Sequence, residues 1–392
     1  MPTTMLLVGL LLAADWPQFL GPDRTGSTPE GVIVQAWKTE GRLRERWRVQ
    51  IGEGFSTVVV ADGRVYSMDT DGAAEFLFAL DADDGASRWR ISIGRSPRDN
   101  YGGHGPRTTP TLDAGRLFVL SAEGRLLSLD AATGRELWSR DLVKDYGFRP
   151  PAEGAASCPL IEGGKVFVMV GGASGPTVAA FDRETGGTLW TALDDRASYS
   201  SPVLLPFAER GQLLLLTARR LVSLVPENGE LLWSYPWETY DGVNVATPIP
   251  AGRDRVFISS GYDQGAALIE AAGSDARAVW RNRELKNHFN NSVFHQGILY
   301  GFDMAIFKAV DAESGETLWR ERGFGTGSVV LAAGHLVVLS DEGELALVEP
   351  DRSRMQVLQR QGVLVGRSWT PPSIDAKGIY VRNHEALVAL EP

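Results

Sequence analysis

The stretch LLSLDAATGRELWSR, Leu126–Arg140, is one copy of a pattern that organises the whole chain. It reads as two short strands joined by a turn that begins at Asp130 and closes at Gly134. An Asp at the start of such a turn accepts hydrogen bonds from backbone N–H groups two or three residues on, and Gly takes the positive φ that closes the hairpin. The second strand carries Trp138, for which an isolated surface hairpin has no obvious use.

The same pattern recurs as an internal repeat. Further copies are FALDADDGASRWR, AAFDRETGGTLWT, SLVPENGELLWSY and KAVDAESGETLWR, each with a Gly four residues after the residue that starts the turn. Aligned copies place a Trp at seven positions that lie 39–52 residues apart. These are Trp47, Trp89, Trp138, Trp190, Trp233, Trp280 and Trp319. A period of about 45 residues is typical of a four-stranded propeller blade.

The order of segments between these Trp residues is constant: a small-residue strand that often contains Pro, an apolar strand, and the hairpin that carries Trp. Two more units follow Trp319; the first has Met355 near the Trp position and the second stops before its fourth strand. The segment RWRVQIG around Trp47 has no complete blade before it. We therefore predict an all-β, eight-bladed β-propeller whose last blade is closed by the N-terminal strand around Trp47, because this pairing covers two open sheet edges.

The charge and the cysteine content of the chain argue against several classes of ligand and partner. The formal net charge of −10, without a dense Lys/Arg run, argues against a nucleic-acid or anionic-membrane surface. The single Cys158 excludes an intrachain disulfide and a multi-cysteine metal site. The Asp-x-x-Thr-Gly runs are interpreted as turns, because no Glu follows in the register of a calcium loop. We expect a monomer with no metal site.

The N-terminus begins with an apolar run of ten residues, Met5–Ala14, which is too short to cross a bilayer. We interpret residues 1–14 as a signal peptide and predict a periplasmic or secreted bacterial protein without a transmembrane segment. A cytoplasmic location is the alternative, since no Lys or Arg precedes the run. Residues 15–43 form an N-terminal arm and residues 44–392 the propeller. Trp37 lies outside the repeat, so we expect it to be peripheral.

The residues Ser128, Asp130, Thr133, Gly134 and Trp138 resemble the tryptophan-docking repeat of quinoprotein alcohol dehydrogenases and of other PQQ-like propellers (PQQ, pyrroloquinoline quinone). The resemblance implies that each Trp packs on the next blade. The opening DWPQFLGPDRTG is similar to that of a bacterial secreted subfamily without an assigned activity. Quinone-using members hold PQQ with calcium, carboxylates and a cation, and the alcohol dehydrogenases often add a vicinal Cys pair, which this chain lacks. We therefore expect no cofactor, and PQQ with calcium is the disfavoured alternative.

Propeller geometry places a candidate ligand site at one mouth of the central channel. The connections that lead into the inner strands open there, together with the hairpins between second and third strands. These segments carry polar, aromatic and cationic residues, the usual composition of a ligand site. The candidates are His104, Arg107, Tyr199, Asn244, Tyr262, Lys286, His288, Asp303 and Trp369. Each could instead brace its own blade, and Tyr199 and Asn244 are the residues most typical of braces.

Three classes of function remain open. We favour a non-catalytic scaffold with protein partners in the envelope, similar to the propeller lipoprotein of the barrel-assembly machinery, which is built from the same repeat. The second is a binder of a small polar or anionic ligand, for which Arg107 offers donors, His288 a titratable group and Trp369 a flat wall. The third, a PQQ-dependent oxidoreductase, is disfavoured by the single Cys. No catalytic residue is assigned.

Overall fold

The computed structural model describes residues 15–96, 102–171, 175–207 and 210–392, so the predicted signal peptide lies outside the described residues. The chain forms eight antiparallel four-stranded sheets, the seventh of which gains a short fifth strand from the arm. The sheets are the blades of a propeller, and the predicted fold class is confirmed.

Blades 1 to 4 run from the inner to the outer strand in chain order. Blade 1 comprises Val59–Ala61, Arg64–Thr70, Ala74–Asp81 and Ser87–Arg95, and blade 2 comprises Thr111–Asp113, Arg116–Leu120, Arg125–Asp130 and Glu136–Asp141. Blade 3 comprises Leu160–Glu162, Lys165–Met169, Val178–Asp182 and Thr188–Ala192, and blade 4 comprises Val203–Phe207, Arg210–Leu216, Arg220–Leu224 and Leu231–Pro236.

Blades 5 to 7 repeat this order, whereas blade 8 takes its outer strand from the N-terminal side. Blade 5 comprises Ile249–Pro250, Arg255–Ser260, Gly265–Ala272 and Asp275–Asn282; blade 6 comprises Val293–His295, Ile298–Asp303, Ile306–Asp311 and Thr317–Glu321. Blade 7 comprises Ser328–Ala332, His335–Leu339, Glu344–Glu349 and Gln356–Gly362; blade 8 comprises Ser373–Ile374, Ile379–Arg382, Ala386–Glu391 and Arg44–Gln50. Helix α1 is Val32–Glu40, helix α2 is Leu142–Tyr146, and a 3-10 turn spans Tyr240–Gly242.

The ring closes where blade 8 meets blade 1. Strand Arg44–Gln50 pairs antiparallel with Ala386–Glu391, as predicted from the segment around Trp47. Next to this closure the fully buried guanidinium of Arg382 donates hydrogen bonds to the carbonyls of Met68 at 2.6 Å and Gly54 at 3.2 Å. Because a buried cation is stable only when it is hydrogen-bonded, Arg382 holds these two blades in one arrangement.

The Trp residues dock onto the next blade. Trp89 Nε1 donates to the carbonyl of Ala131 at 3.2 Å, and Trp138 Nε1 donates to that of Arg183 at 3.0 Å. The Trp89 ring also covers Gly134, where φ is +73° and an added Cβ would lie 2.9 Å from the indole. Gly134 is therefore required for two reasons: its positive φ closes the turn, and its lack of a side chain leaves room for the Trp of the preceding blade. Equivalent bonds to the next blade are made by Trp47, Trp190, Trp280 and Trp319.

The turns follow the predicted chemistry, whereas one of the repeat Trp residues, Trp233, does not dock onto the next blade. Asp130 Oδ1 accepts from the Thr133 hydroxyl at 2.7 Å and from its N–H at 2.9 Å, and these bonds hold the pKa of Asp130 below its usual range. Trp233 Nε1 instead donates to Gln212 Oε1 of its own blade at 2.9 Å. The tight hairpin that joins the third and fourth strands of blade 5 lacks the Asp-to-Gly turn onto which Trp233 would dock.

The N-terminal arm is part of the core, and the prediction that Trp37 is peripheral was wrong. Trp37 has no exposed surface and packs, with Ile33 and Val34 of helix α1, in a hydrophobic cluster that includes Leu347 of blade 7 and Leu390 of blade 8. The arm carries no repeat, so its sequence gave no periodic signal of burial. Its apolar helix face is covered by two blades, which makes the arm structural.

Candidate functional site

A cavity of about 260 Å³ lies at the mouth of the central channel. Its lining comes from the connections that lead into the inner strands of blades 1 to 6 and 8, and from the N-terminal arm. Tyr262, on the hairpin between the second and third strands of blade 5, lines the cavity and is 52% exposed, so the cavity reaches the surface on this face. The aromatic and imidazole lining groups are Phe19, Phe55, Tyr199, Tyr262, His288, Phe289 and Trp369.

The N-terminal arm runs through the channel among the inner strands. Trp16 pairs with Val60 of blade 1, and the N–H of Leu112 in blade 2 donates to the carbonyl of Pro17 at 2.8 Å. Two residues further on, Phe19 becomes part of the cavity lining. The channel is thus occupied by the chain itself on one side of the cavity.

Arg24 anchors the arm in this position. Its buried guanidinium donates to the carbonyls of Cys158 at 3.2 Å and Pro202 at 3.1 Å, to Thr111 Oγ1 at 3.1 Å, and to the carbonyl of Pro159. Burial lowers the pKa of Arg24 to about 10, so the group stays protonated at neutral pH. Arg24 therefore joins the inner strand of blade 2 to the connections that lead into blades 3 and 4.

Small polar residues link the segments that enter the inner strands of blades 1 to 4 in a chain of hydrogen bonds. The N–H of Thr57 donates to Thr109 Oγ1 at 3.0 Å, that of Thr109 to Cys158 Sγ at 3.2 Å, and that of Cys158 to Ser201 Oγ at 2.9 Å. Burial raises the pKa of the Cys158 thiol, which disfavours the nucleophilic thiolate. Cys158 is thus an acceptor that connects two blades.

Five of the nine predicted site residues line the cavity, although whether they bind a ligand stays a prediction. These are Arg107, Tyr199, Tyr262, His288 and Trp369. Arg107 donates to the carbonyls of Gly103 and Gly105, both at 3.1 Å, and its guanidinium lies 4.9 Å from the ring centre of Phe55. The cation is therefore held at the wall by its own loop.

Two tyrosines and their partners form another part of the wall. The Tyr199 hydroxyl donates to a carboxylate oxygen of Glu153. Tyr262 meets His288 edge-on, with ring centres 5.1 Å apart. Burial lowers the pKa of His288, so the imidazole is neutral at pH 7.

Trp369 is the centre of an aromatic row. Its ring centre lies 4.4 Å from that of Phe289 and 6.1 Å from that of Phe55. The Arg367 guanidinium lies 4.4 Å from the Trp369 ring centre. Such a row is flat, apolar and held by its neighbours, as a wall for a planar group requires.

Asn244 lies outside the cavity lining and serves as a brace, the alternative that its sequence position left open. Its Nδ2 donates to the carbonyl of Thr217 at 2.8 Å, and its Oδ1 accepts from Ser260 Oγ at 2.7 Å. The side chain has no exposed surface, so it is not available to a ligand in the channel mouth.

The other three predicted residues are also placed away from the cavity lining. Lys286 and Asp303 pair with each other at 3.5 Å, and Asp303 is bound more closely by the buried Lys308 at 2.7 Å. The backbone N–H of His104 donates to a carboxylate oxygen of Glu53 at 3.2 Å. The Asp303–Lys308 pair joins the second and third strands of blade 6, and the His104 bond joins the connection between blades 1 and 2 to the neighbouring connection that leads into blade 1.

Several lining residues were missed from the sequence. Phe289 and Glu153 lie in the same type of connection as the predicted residues, so their place in the propeller topology was the available signal. Phe19 gave no such signal, because it belongs to the arm and reaches the cavity only through the tertiary fold.

The lining does not fit PQQ held by calcium. Calcium takes about six to eight oxygen ligands, usually with several carboxylates. Glu153 is the one carboxylate among the described lining residues, and it already accepts from Tyr199. In the parts of the chain that the structure describes, no three His, Cys, Asp or Glu side chains converge as metal ligands.

The repeat, the docked Trp residues and the ring closure define an eight-bladed propeller of the tryptophan-docking class. Residues 73–306, more than half of the chain, match a family model described as outer membrane protein assembly factor BamB, and the chain belongs to this PQQ-like repeat family.

Individual relatives fall into two groups. The chain is 25% identical to BamB of Burkholderia pseudomallei over 71% of its own length and 69% of that protein. It is 31% identical to a quinohemoprotein alcohol dehydrogenase of Pseudomonas putida over 48% of its own length, and this match covers only 30% of the dehydrogenase.

Solved structures give the same fold. A europium-containing methanol dehydrogenase superposes with a TM-score of 0.69 and 15% identity, over 94% of this chain and 89% of that one. BamB of Moraxella catarrhalis superposes with a TM-score of 0.63 and 15% identity, over 90% of this chain and all of that one (100%). The helices that the structure describes do not include one long and apolar enough to cross a membrane.

Proposed function

We propose that this protein is a non-catalytic PQQ-like propeller that acts as a protein-interaction scaffold in the cell envelope. The observation that carries this proposal is the extent of the two kinds of match. Sequence similarity to a protein named as an outer membrane protein assembly factor extends over 69% of that relative, whereas sequence similarity to the alcohol dehydrogenase extends over 30% of the dehydrogenase. A scaffold needs only the propeller, which this chain has.

The chemistry of the channel mouth supports a role without catalysis. Glu153 is bonded by Tyr199, Cys158 is a buried thiol with a raised pKa, and the lining does not fit calcium-held PQQ. A periplasmic or secreted location and a monomeric state belong to the same proposal.

The face at the channel mouth offers a surface for a partner. Large apolar side chains are exposed on its connections and hairpins: Tyr240 is 77% exposed, Met304 41% and Val365 87%. Apolar side chains that are exposed on one face can contribute to an interaction surface when a partner covers them. We therefore place the partner on this face.

In-cell photo-crosslinking tests the proposal. A crosslinking amino acid at position 365 should yield a discrete protein adduct in the envelope fraction. The same amino acid at Val357, which is 40% exposed on the outer strand of blade 7, is the matched control and should yield none. A cytoplasmic location of the protein, or the same adduct pattern at both positions, would contradict the scaffold role at this face.

The second candidate function is the binding of a small polar or anionic ligand at the channel mouth, for which Arg107 would supply the cation at the cavity wall. Arg107, His288 and Trp369 come from the connections into blades 2, 6 and 8 and share this cavity. A thermal-shift screen of anionic metabolites and saccharides on wild type and Arg107→Ala tests it. Stabilisation that is lost in the variant supports a ligand site, and no stabilisation of wild type argues against one.

A further inference from the structure

The described lining of the cavity holds one formal charge of each sign and seven aromatic or imidazole groups. Among the described lining residues, Arg107 and Glu153 carry the formal charges, one of each sign, and each is engaged with its own neighbours. His288 adds no charge at neutral pH because burial lowers its pKa. The Arg367 guanidinium beside Trp369 donates to the carbonyl of Gly102 at 2.6 Å, so it too is engaged at the wall. A charged ligand would have to compete with these contacts, whereas an uncharged ring would meet Trp369 and Phe289 directly.

The cavity is small for a cofactor. Pockets for small molecules and cofactors are typically about 300–1,000 Å³. This cavity measures about 260 Å³, and the arm, through Phe19, forms part of its lining. The available space suits one ring with its immediate attachment better than a large free molecule.

The surface around the mouth continues the apolar character. Tyr262 reaches from the cavity lining to solvent, and Tyr240, Met304 and Val365 lie on connections or hairpins of the same face. A small molecule inside the cavity would leave these side chains in water. A polypeptide that extends out of the cavity can contact apolar side chains on this face, and this favours a ring that is attached to a chain.

The protein itself shows that the channel accepts an extended peptide with aromatic side chains. The arm pairs Trp16 with Val60 of blade 1, accepts at Pro17 from the N–H of Leu112, and inserts Phe19 into the cavity lining. Backbone bonds to inner strands and an aromatic side chain in the channel thus already occur together in this fold.

We propose that the cavity is an anchor site for one uncharged aromatic side chain, carried on an extended segment of a partner protein. This inference rests on the scaffold function proposed above and specifies what the scaffold recognises. The ring stacks on the Trp369 and Phe289 row, and the flanking residues of the partner lie over the exposed apolar side chains at the mouth.

The test uses the purified full chain and synthetic nonapeptides of the form Ac-GSPGXGPSG-NH2, where X is Trp, Tyr, Phe, Ser or Glu. Isothermal titration should show at least tenfold tighter binding for X = Trp, Tyr or Phe than for X = Ser or Glu. N-acetyltryptophanamide, which carries the ring without flanking residues, should bind at least threefold more weakly than the Trp peptide. Equal affinity of the Ser peptide, tighter binding of the Glu peptide, or no binding by any aromatic peptide would overturn the anchor site.

Two variants fill the cavity without removing a side-chain hydrogen bond. Ala156→Trp and Val245→Trp place an indole where the partner ring would lie, and each should weaken the Trp peptide at least tenfold. Ala132→Trp adds the same side chain to an exposed turn between the third and fourth strands of blade 2, and should leave affinity unchanged. Unchanged affinity in both filled variants, with melting temperatures near wild type, or an equal loss in Ala132→Trp, would overturn the site.

The remaining outcomes distinguish a small aromatic molecule from a partner protein as the ligand, and a failure of the anchor site from a failure of the scaffold function. If the free amide binds as tightly as the peptide, the cavity serves a small aromatic molecule, and the partner-anchor proposal is wrong. If crosslinks at position 365 persist in cells that produce Ala156→Trp, the scaffold function holds while the anchor fails. If those crosslinks are absent in wild type although the peptide binds, the proposed envelope role fails while the site remains.

Discussion

Replacement of Trp37 by Ala tests whether the N-terminal arm belongs to the core. Trp37 has no exposed surface and packs under blades 7 and 8, whereas Trp138, the docking residue of blade 2, is half-buried. Full burial of a Trp removes about 200 Å² from water, worth about 5 kcal/mol at 25 cal/mol per Å². Measured Trp→Ala losses in cores are about 3–5 kcal/mol, so we expect Trp37→Ala near the upper end.

Trp138→Ala is the matched comparison. It loses a smaller buried area together with the Nε1 bond to the Arg183 carbonyl, which contributes about 1 kcal/mol, so we expect a total near 3 kcal/mol. Trp37 Nε1 is buried without a hydrogen-bond partner among the described residues, so Trp37→Phe loses no hydrogen bond and should cost about 2 kcal/mol, from the cavity that the smaller ring leaves. Guanidinium chloride titrations followed by far-UV circular dichroism measure all three free energies of unfolding. A loss for Trp37→Ala below half of that for Trp138→Ala would refute the burial reasoning.

Four further outcomes are expected. Burial raises the pKa of Glu75 from 4.5 to about 7, so its contribution to stability falls as pH rises from 4.5 to 7. In urea titrations, the free energy of unfolding of Glu75→Gln relative to that of wild type should therefore increase by about 3 kcal/mol from pH 4 to pH 8. Gly134→Ala should lose more stability than Gly115→Ala, because both have positive φ, at about 1–3 kcal/mol of strain each, but only the former meets Trp89; equal melting temperatures would reject the docking role of this Gly. Arg24→Met should lose about 3 kcal/mol in the same titrations, since it leaves the carbonyls of Cys158 and Pro202, just before the inner strands of blades 3 and 4, without their donor; unchanged stability would show that Arg24 does not anchor the arm. Addition of PQQ and calcium to the purified protein should leave the absorbance equal to the sum of the components, and a new band would restore the quinoprotein alternative.

The blades were predictable because their signals are local. Asp130 and Gly134 specify a turn within five residues, and Trp138 recurs in register with them, so a short window of sequence contains the whole signal. Closure around Trp47 followed from counting strands and pairing the two incomplete ends. Neither step required knowledge of distances between side chains.

The candidate site was predictable only as far as topology reaches. Arg107, His288 and Trp369 were found because all connections into inner strands open at one mouth. Topology places Asn244 and Lys286 near the same mouth, but the side-chain rotamer decides whether a group faces the channel or a neighbour. A hydrogen bond to the Thr217 carbonyl at the end of a blade 4 strand made that decision for Asn244, and an ion pair with Asp303 of blade 6 made it for Lys286.

The sequence by itself determined the fold class, the number of blades and the place of ring closure, since turn chemistry and periodic Trp residues act over short distances along the chain. Only the tertiary structure decided the role of the arm. Arg24 bonds to carbonyls 134 and 178 residues away, at Cys158 and Pro202, and no local pattern signals such contacts. Phe19 enters the cavity lining for the same reason: the closed ring creates, at its centre, a channel that no single repeat contains.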